Sequence, residues 1–107
     1  MTTVVHVTCY RAASLREKIV NDPKLATFGL EVERKQKPGR NPGWAKLYAK
    51  GIDGSINLEW DLQTRTLLAR IVNRGTGRPP EITGQFVKLL LARHSANIRS
   101  IQIQPDV

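Results

Sequence analysis

Two neighbouring stretches, "GSINLEWDL" at residues 54–62 and "TLLARIVN" at residues 66–73, decide the fold. In the first, polar side chains alternate with an apolar set, which is Ile56, Leu58, Trp60 and Leu62. Successive side chains of a strand point to opposite faces, so this alternation predicts a strand with one buried face. The second stretch predicts another strand, and the short "QTR" between them indicates an antiparallel hairpin.

The residues before this hairpin predict a strand, a helix and a further strand. "TVVHVTCY" (3–10) is rich in β-branched residues and has apolar side chains on both faces, which is typical of an inner strand. In "SLREKIVNDP" (14–23), Ser14 and Glu17 have the spacing of a capping box, and Pro23 is expected to end the helix. "FGLEVERKQ" (28–36) alternates from Phe28 onward and predicts a half-buried strand.

The residues after the hairpin predict a helix and a last strand. Pro80 suits the first turn of a helix, and Asn97 suits its end. The apolar residues between them recur at helical spacing, at Ile82, Phe86, Leu89 and Leu90. "IRSIQIQP" (98–105) alternates again. The order is β-α-β-β-β-β-α-β over residues 1–107 as a single α+β domain. We expect a two-layer sandwich: a mainly antiparallel sheet of about five to six strands with two helices on one face.

The stretch "NPGWAKLYAK" (41–50) admits two secondary structures. As a helix it would be capped by Asn41, would begin at Pro42 and would bury Trp44, Leu47 and Tyr48 on one face. As a strand it would bury its alternate small and apolar residues, which are Ala45, Leu47 and Ala49. The strand is favoured because "GIDG" follows directly and suits a turn into the strand at 54–62.

The charge of the chain favours a polyanionic partner. Lys and Arg number 17 against nine Asp and Glu, for a net charge of +8. Residues 34–50 hold six Lys or Arg and no acid. If 44–50 is a strand, aromatic and basic side chains alternate on its outer face, which suits stacked bases and phosphates of single-stranded RNA or DNA. The predicted nucleic-acid-binding residues are Arg34, Lys35, Lys37, Arg40, Trp44, Lys46, Tyr48 and Lys50.

A second basic stretch, "RGTGRPP" at 74–80, precedes the predicted helix. Backbone N–H groups at a helix start, flanked by Arg74 and Arg78, could hold one phosphate or sulfate. The alternative is an ordinary Gly/Pro loop into the helix. The stretch lacks the Gly-Lys-Ser/Thr ending of a phosphate-binding P-loop.

Catalytic and metal-binding patterns are weak. His6 and Cys9 are three apart on a predicted strand, so they face opposite ways, and Cys9 is expected to be a buried thiol beside Val5 and Val7. His94 is expected to have a structural role near the end of the helix. Two histidines and one cysteine do not make a convincing zinc site, and we expect no cofactor. The sequence leans away from an enzyme.

The sequence therefore leaves three function hypotheses. Two are binding roles, and the third is an enzyme. The more specific is a small basic protein that binds single-stranded nucleic acid. The alternative is a non-catalytic protein-interaction or regulatory module with an acidic partner or a second copy, a homodimer joined through sheet edges or through the face bearing Trp44. A single cysteine, the absence of a signal-peptide pattern and the absence of a long apolar run lead us to expect a soluble cytoplasmic protein with no membrane span.

Overall fold

A computed structural model describes residues 2–33, 44–73 and 79–105. Their strands and helices, in chain order, are β1 (Thr2–Cys9), α1 (Leu15–Val20), β2 (Leu30–Val32), β3 (Trp44–Ala49), β4 (Gly54–Asp61), β5 (Thr66–Asn73), α2 (Pro79–Arg93) and β6 (Ile98–Gln104). Two short 3₁₀ helices lie at Leu25–Phe28 and Ser95–Asn97. The predicted element order and the α+β class are confirmed, and residues 44–49 form a strand.

The strands form one antiparallel sheet in the order β2-β3-β4-β5-β1-β6. β3, β4 and β5 are consecutive neighbours, as expected of hairpin connections. β1 lies between β5 and β6, where Val5 is opposite Ala69 on one side and Ile103 on the other. This position confirms the inner strand that its two apolar faces predicted.

The core lies between the sheet and the two helices. The alternate strand residues that face the helices are apolar and buried, and they include Val5, Val7, Ala45, Leu47, Ile56, Leu58, Leu67, Ala69 and Ile71. The helices contribute Leu15, Ile19, Ile82, Phe86, Leu89 and Leu90 to the same cluster. Cys9 is buried in it too, and burial raises the pKa of its thiol, as expected of an inert core cysteine. We call this side of the sheet the covered face.

The start of α1 and the ends of both helices compare with the predicted positions as follows. Ser14 Oγ accepts the backbone N–H of Glu17 at 3.3 Å, so the predicted capping residue is confirmed. α1 ends at Val20, before Pro23 is reached. α2 ends at Arg93 and not near Asn97, because residues 95–97 turn more tightly as a 3₁₀ helix that leads into β6.

Three burial or boundary predictions are wrong at strand ends. Leu62 is 62% exposed, because β4 stops at Asp61, whose Oδ1 accepts the Gln63 N–H at 3.0 Å in the turn. Trp60 packs against the core but is only partly buried. Phe28 belongs to the first 3₁₀ helix and not to β2, which starts after Gly29 in a left-handed conformation, with φ at 74°.

Within the described residues, no helix has the length and apolar character needed to cross a membrane.

Candidate functional site

The second face of the sheet points away from α1 and α2, and no helix of the described residues packs on it. We call it the open face. Strand alternation and the observed register place on it Glu31 of β2, Lys46 and Tyr48 of β3, Ser55, Asn57 and Glu59 of β4, Leu68 and Arg70 of β5, Val4 and His6 of β1, and Gln102 and Gln104 of β6. Its side chains are mostly polar, in contrast to the covered face.

A row of polar side chains crosses the centre of the open face. Lys46 is opposite Asn57, and Asn57 is opposite Arg70 on the next strand. Side chains in such cross-strand positions lie within about 5 Å of each other at Cβ. Arg70 is exposed and Asn57 is half-buried. The row therefore presents a cation, an amide and a second cation on three adjacent strands.

Tyr48 lies beside this row on β3. Its side chain is 37% exposed, and the Lys46 Nζ atom is 5.5 Å from the centre of its ring. A cation at that distance interacts with the π-electrons of the ring and helps to fix its orientation. Tyr48 thus offers a partly exposed aromatic surface next to a positive charge.

Carboxylates of β2 and of the residue after it pair with the two predicted lysines of this region. Glu31 Oε1 lies 3.2 Å from Lys50 Nζ, and Glu33 Oε2 lies 3.9 Å from Lys46 Nζ. Lys50 follows β3 in a turn, where its N–H donates to the Gly29 carbonyl. These ion pairs reduce the positive charge that the two lysines present to a phosphate.

Several predicted site residues cannot be placed. Arg34, Lys35, Lys37 and Arg40, and both predicted anion-binding residues Arg74 and Arg78, lie outside the described residues. The backbone of Trp44 opens β3, and its side chain lies outside the described part. The structure therefore brings together Lys46, Tyr48 and Lys50 from the predicted set.

The topology attaches the two basic stretches to opposite ends of the sheet. Residues 34–43 join the end of β2 to the start of β3, at the end of the sheet where β4 passes into β5. Residues 74–78 follow Asn73, which is opposite Gly54 at the other end. The two basic stretches are therefore connected to different ends of the sheet.

Arg70 is a candidate site residue that was not predicted from the sequence. The alternation of apolar residues in β5 could have identified it. Leu67, Ala69 and Ile71 form the buried face of β5, which leaves Arg70 on the opposite face. Its neighbours on β4 and β1 could not be named without the strand order.

A buried polar cluster lies on the helix side of the molecule. The Asp22 carboxylate accepts two hydrogen bonds from Arg93, from Nη2 at 3.2 Å and from Nε at 3.3 Å. Its Oδ1 also accepts the Lys24 N–H at 2.9 Å, and its Oδ2 is 3.1 Å from His94 Nε2. The Asp22 side chain is almost fully buried. The cluster ties the end of α2 to the segment that follows α1.

The environment of this cluster shifts two pKa values. Burial alone would raise the pKa of Asp22, but the hydrogen bonds from Arg93 and Lys24 outweigh it, so the pKa lies below its ordinary value. Burial lowers the pKa of His94, and the neighbouring Asp22 carboxylate offsets this only in part. His94 is therefore mainly neutral at pH 7, and the cluster has the character of a structural tie.

His6 and Cys9 occupy opposite faces of the sheet, as their spacing predicted. Over residues 2–33, 44–73 and 79–105, no group of three or more His, Cys, Asp or Glu side chains is arranged to hold a metal ion. The candidate site is thus the open face around Tyr48.

Neither the sequence nor the fold has a match, since no protein-family model, no curated protein and no solved structure matches this chain.

Proposed function

We propose that this domain binds single-stranded nucleic acid on the open face of its sheet, centred on Tyr48. The observation that carries the proposal is the arrangement of Tyr48, Lys46, Asn57 and Arg70 on three adjacent strands, on a face that α1 and α2 leave uncovered. This combination of an aromatic ring, an amide and cations is what single strands need for stacking and for phosphate contact.

The spacing suits a short oligonucleotide. Arg70 is two strands from Lys46, and the strand separation puts Tyr48 and Arg70 about 12 Å apart. A base stacked on Tyr48 would leave the neighbouring phosphate free to reach Arg70. Asn57 lies between them and can both donate and accept hydrogen bonds.

The carboxylates favour a single strand over a duplex. Glu31, Glu33 and Glu59 would repel the closely spaced phosphates of a duplex laid across the face. Bases carry no charge, and carboxylates can accept hydrogen bonds from their amino groups. We therefore expect bases to contact the β2–β4 half of the face and phosphates to contact Arg70 and the basic stretch.

The basic stretch supports the proposal through its charge and its attachment. Residues 34–43 lead directly into β3, within a few residues of Lys46 and Tyr48. Lys35, Lys37 and Arg40 would supply the attraction that the paired Lys46 and Lys50 do not. Such contacts release counterions and make binding salt-dependent.

The first test separates stacking from charge at Tyr48. Fluorescence anisotropy would follow labelled single-stranded RNA, single-stranded DNA and duplex at ~150 mM salt, where loose attraction is screened. Tyr48→Ala should weaken single-strand binding by roughly 5- to 100-fold, the value of one stacked base. Tyr48→Phe keeps the ring and should bind nearly as well as the parent. Equal affinities for all three proteins would contradict the proposal.

The second test asks whether the location of a charge matters. Arg70→Gln and Lys88→Gln each remove one exposed positive charge, the first from the open face and the second from α2. Only Arg70→Gln should weaken binding strongly. Replacing Lys35, Lys37 and Arg40 by Ala should also reduce the slope of log affinity against log salt by about two to three units. If binding vanishes at ~150 mM salt, the nucleic-acid proposal fails and the protein-interaction hypothesis replaces it.

A further inference from the structure

β6 forms one edge of the sheet, and its residues after Arg99 lack the features that usually protect an edge. Among the described strands it pairs with β1 alone. Residues 100–104, "SIQIQ", contain no charge and no proline. The opposite edge, β2, is only three residues long, contains Glu31 and is followed by Glu33. Short length and charge are common protections against edge pairing, so β6 is the edge that remains open to another strand.

An exposed apolar patch adjoins this edge on the covered side. Ile103 is 49% exposed and Leu91 of α2 is 56% exposed. With Val87, Ile98 and Ile101 they line a shallow groove of about 450 Å³ between α2 and β6. A strand added to β6 would bring its own side chains over this groove. One partner could therefore satisfy both the backbone of the edge and the apolar patch.

The sequence of β6 is complementary to itself in one antiparallel register. With Gln102 on a two-fold axis, Ile101 of one copy is opposite Ile103 of the other, and Ser100 is opposite Gln104. Residues directly opposite each other in an antiparallel pair share a face. Isoleucines would thus meet on the side of the helices, and polar residues would meet on the open face. A shift of one residue would place the helices of the two copies on opposite sides of the sheet.

We propose that β6 is a contact edge through which two copies of this chain form a two-fold symmetric dimer with a continuous sheet. A symmetric contact requires a self-complementary patch, and the register about Gln102 provides one. The uncharged stretch 100–104 also places no like charges opposite each other between two copies of net charge +8. The proposal is independent of the nucleic-acid site around Tyr48.

The charge of the protein gives the dimer a salt dependence opposite to that of nucleic-acid binding. Two copies of charge +8 repel each other, and salt screens this repulsion. Self-association should therefore strengthen between ~150 mM and ~500 mM salt, while nucleic-acid binding weakens. Analytical ultracentrifugation over ~1 to ~200 μM protein would measure this. A monomer at every concentration and both salt levels would overturn the proposal.

A charge substitution tests the apolar contact. Ile103→Lys places a cation beside the axis in each copy and should weaken self-association by at least about tenfold, since like charges would face a desolvated contact. Ile103→Val keeps the side chain apolar and should retain the dimer. Thermal unfolding of both variants controls for the fold, because Ile103 is half exposed. Retention of the dimer by a folded Ile103→Lys protein would overturn the proposal.

A pair of cysteine substitutions tests the register itself. Two Gln102→Cys side chains would be directly opposite across the axis, with Cα atoms about 4.5–5.5 Å apart, within disulfide range. Two Gln104→Cys side chains would be about 14 Å apart and out of reach. Both glutamines are exposed on the same face of the same strand. Under mild oxidation only Gln102→Cys should give a disulfide-linked dimer, and equal cross-linking of both would contradict the register.

Discussion

The covered and open faces of the sheet use the same strands but have different compositions. On the covered face, Leu47, Ile56 and Leu67 are fully buried against the helices. On the open face, their immediate neighbours along the strands include Lys46, Asn57 and Leu68. The difference shows that one side of the sheet supplies the stability. The side chains of the other side do not pack against α1 or α2.

The open face also contains buried side chains. Ser55 and Val4 lie on the open face, and both are buried. Ser55 is flanked by Tyr48 and Val72 on the adjacent strands. The open face is therefore not exposed throughout.

The largest effect that separates the faces is expected in the core. Phe86→Ala removes a fully buried ring between α2 and the sheet, and it should lower the free energy of unfolding by about 3–5 kcal/mol. Tyr48→Ala, on the open face, should cost about 1 kcal/mol or less. Urea denaturation measures both values. Similar losses for the two variants would mean that the open face contributes to the core.

The next effect concerns the hydrogen bonds between Asp22 and Arg93 on the helix side. Asp22→Asn should cost about 1–3 kcal/mol, because charge-assisted hydrogen bonds from Arg93 are lost. Asp61→Asn is the matched control, since Asp61 is exposed and accepts only the Gln63 N–H among its described bonds. It should cost clearly less. A larger loss from Asp61→Asn would show that the Asp22 cluster is not a stabilising tie.

The pH dependence of this cluster has two steps of the same sign. The pKa of His94 is lowered by folding, so the unfolded state binds the proton more readily and stability falls as the pH drops below about 6.5. The lowered pKa of Asp22 adds stability above about pH 4 that is lost at lower pH. In thermal unfolding scans, His94→Gln should remove the first step and leave the second. Retention of the first step would assign it to another group.

A further comparison of the two faces uses the reactivity of a thiol at neighbouring residues of β1. Cys9 on the covered face should react at least ~100-fold more slowly with a thiol reagent in native protein than in denaturant. Thr8→Cys, in a Cys9→Ser background, places the thiol on the open face one residue away and should react much faster. Rapid native labelling of Cys9 would remove it from the core.

The smallest effect is expected where the open face already carries an ion pair. Glu33→Gln should change stability by no more than about 0.5 kcal/mol, as is usual for surface pairs. It would release Lys46 for a phosphate, so affinity for single strands should rise by roughly two- to fivefold. Glu17→Gln, at an exposed position of α1 where the carboxylate pairs with Arg16, is the control for the change in net charge. An equal rise in both variants would indicate a general electrostatic effect.

The sequence predicted the order of elements because alternation and helical spacing are local properties. β5 and β6, for example, match the predicted ranges to within one residue. The prediction was wrong for Leu62 and Phe28, which were expected within strands. The ends of a strand are set by hydrogen bonds in turns and by the edges of the sheet, and periodicity does not encode these.

The candidate site was predictable in part. The alternation of 44–49 predicted that Lys46 and Tyr48 share a face, and the structure agrees. The pairing of Glu33 with Lys46, and the neighbours of Arg70, depend on which strands are adjacent. The bond between Asp22 and His94 joins residues far apart in the sequence, and no local pattern indicates it.

The position of β1 also has a consequence for how the chain is made. β1 is synthesised first, yet both strands that pair with it, β5 and β6, lie in the later part of the sequence. At a translation rate of about 5–20 residues per second, β1 must wait for several seconds with its backbone unpaired and its apolar side chains uncovered. Pairings between distant residues also slow folding. β1 therefore stays without its neighbouring strands until β5 is made, and its pairing with β6 completes the described sheet.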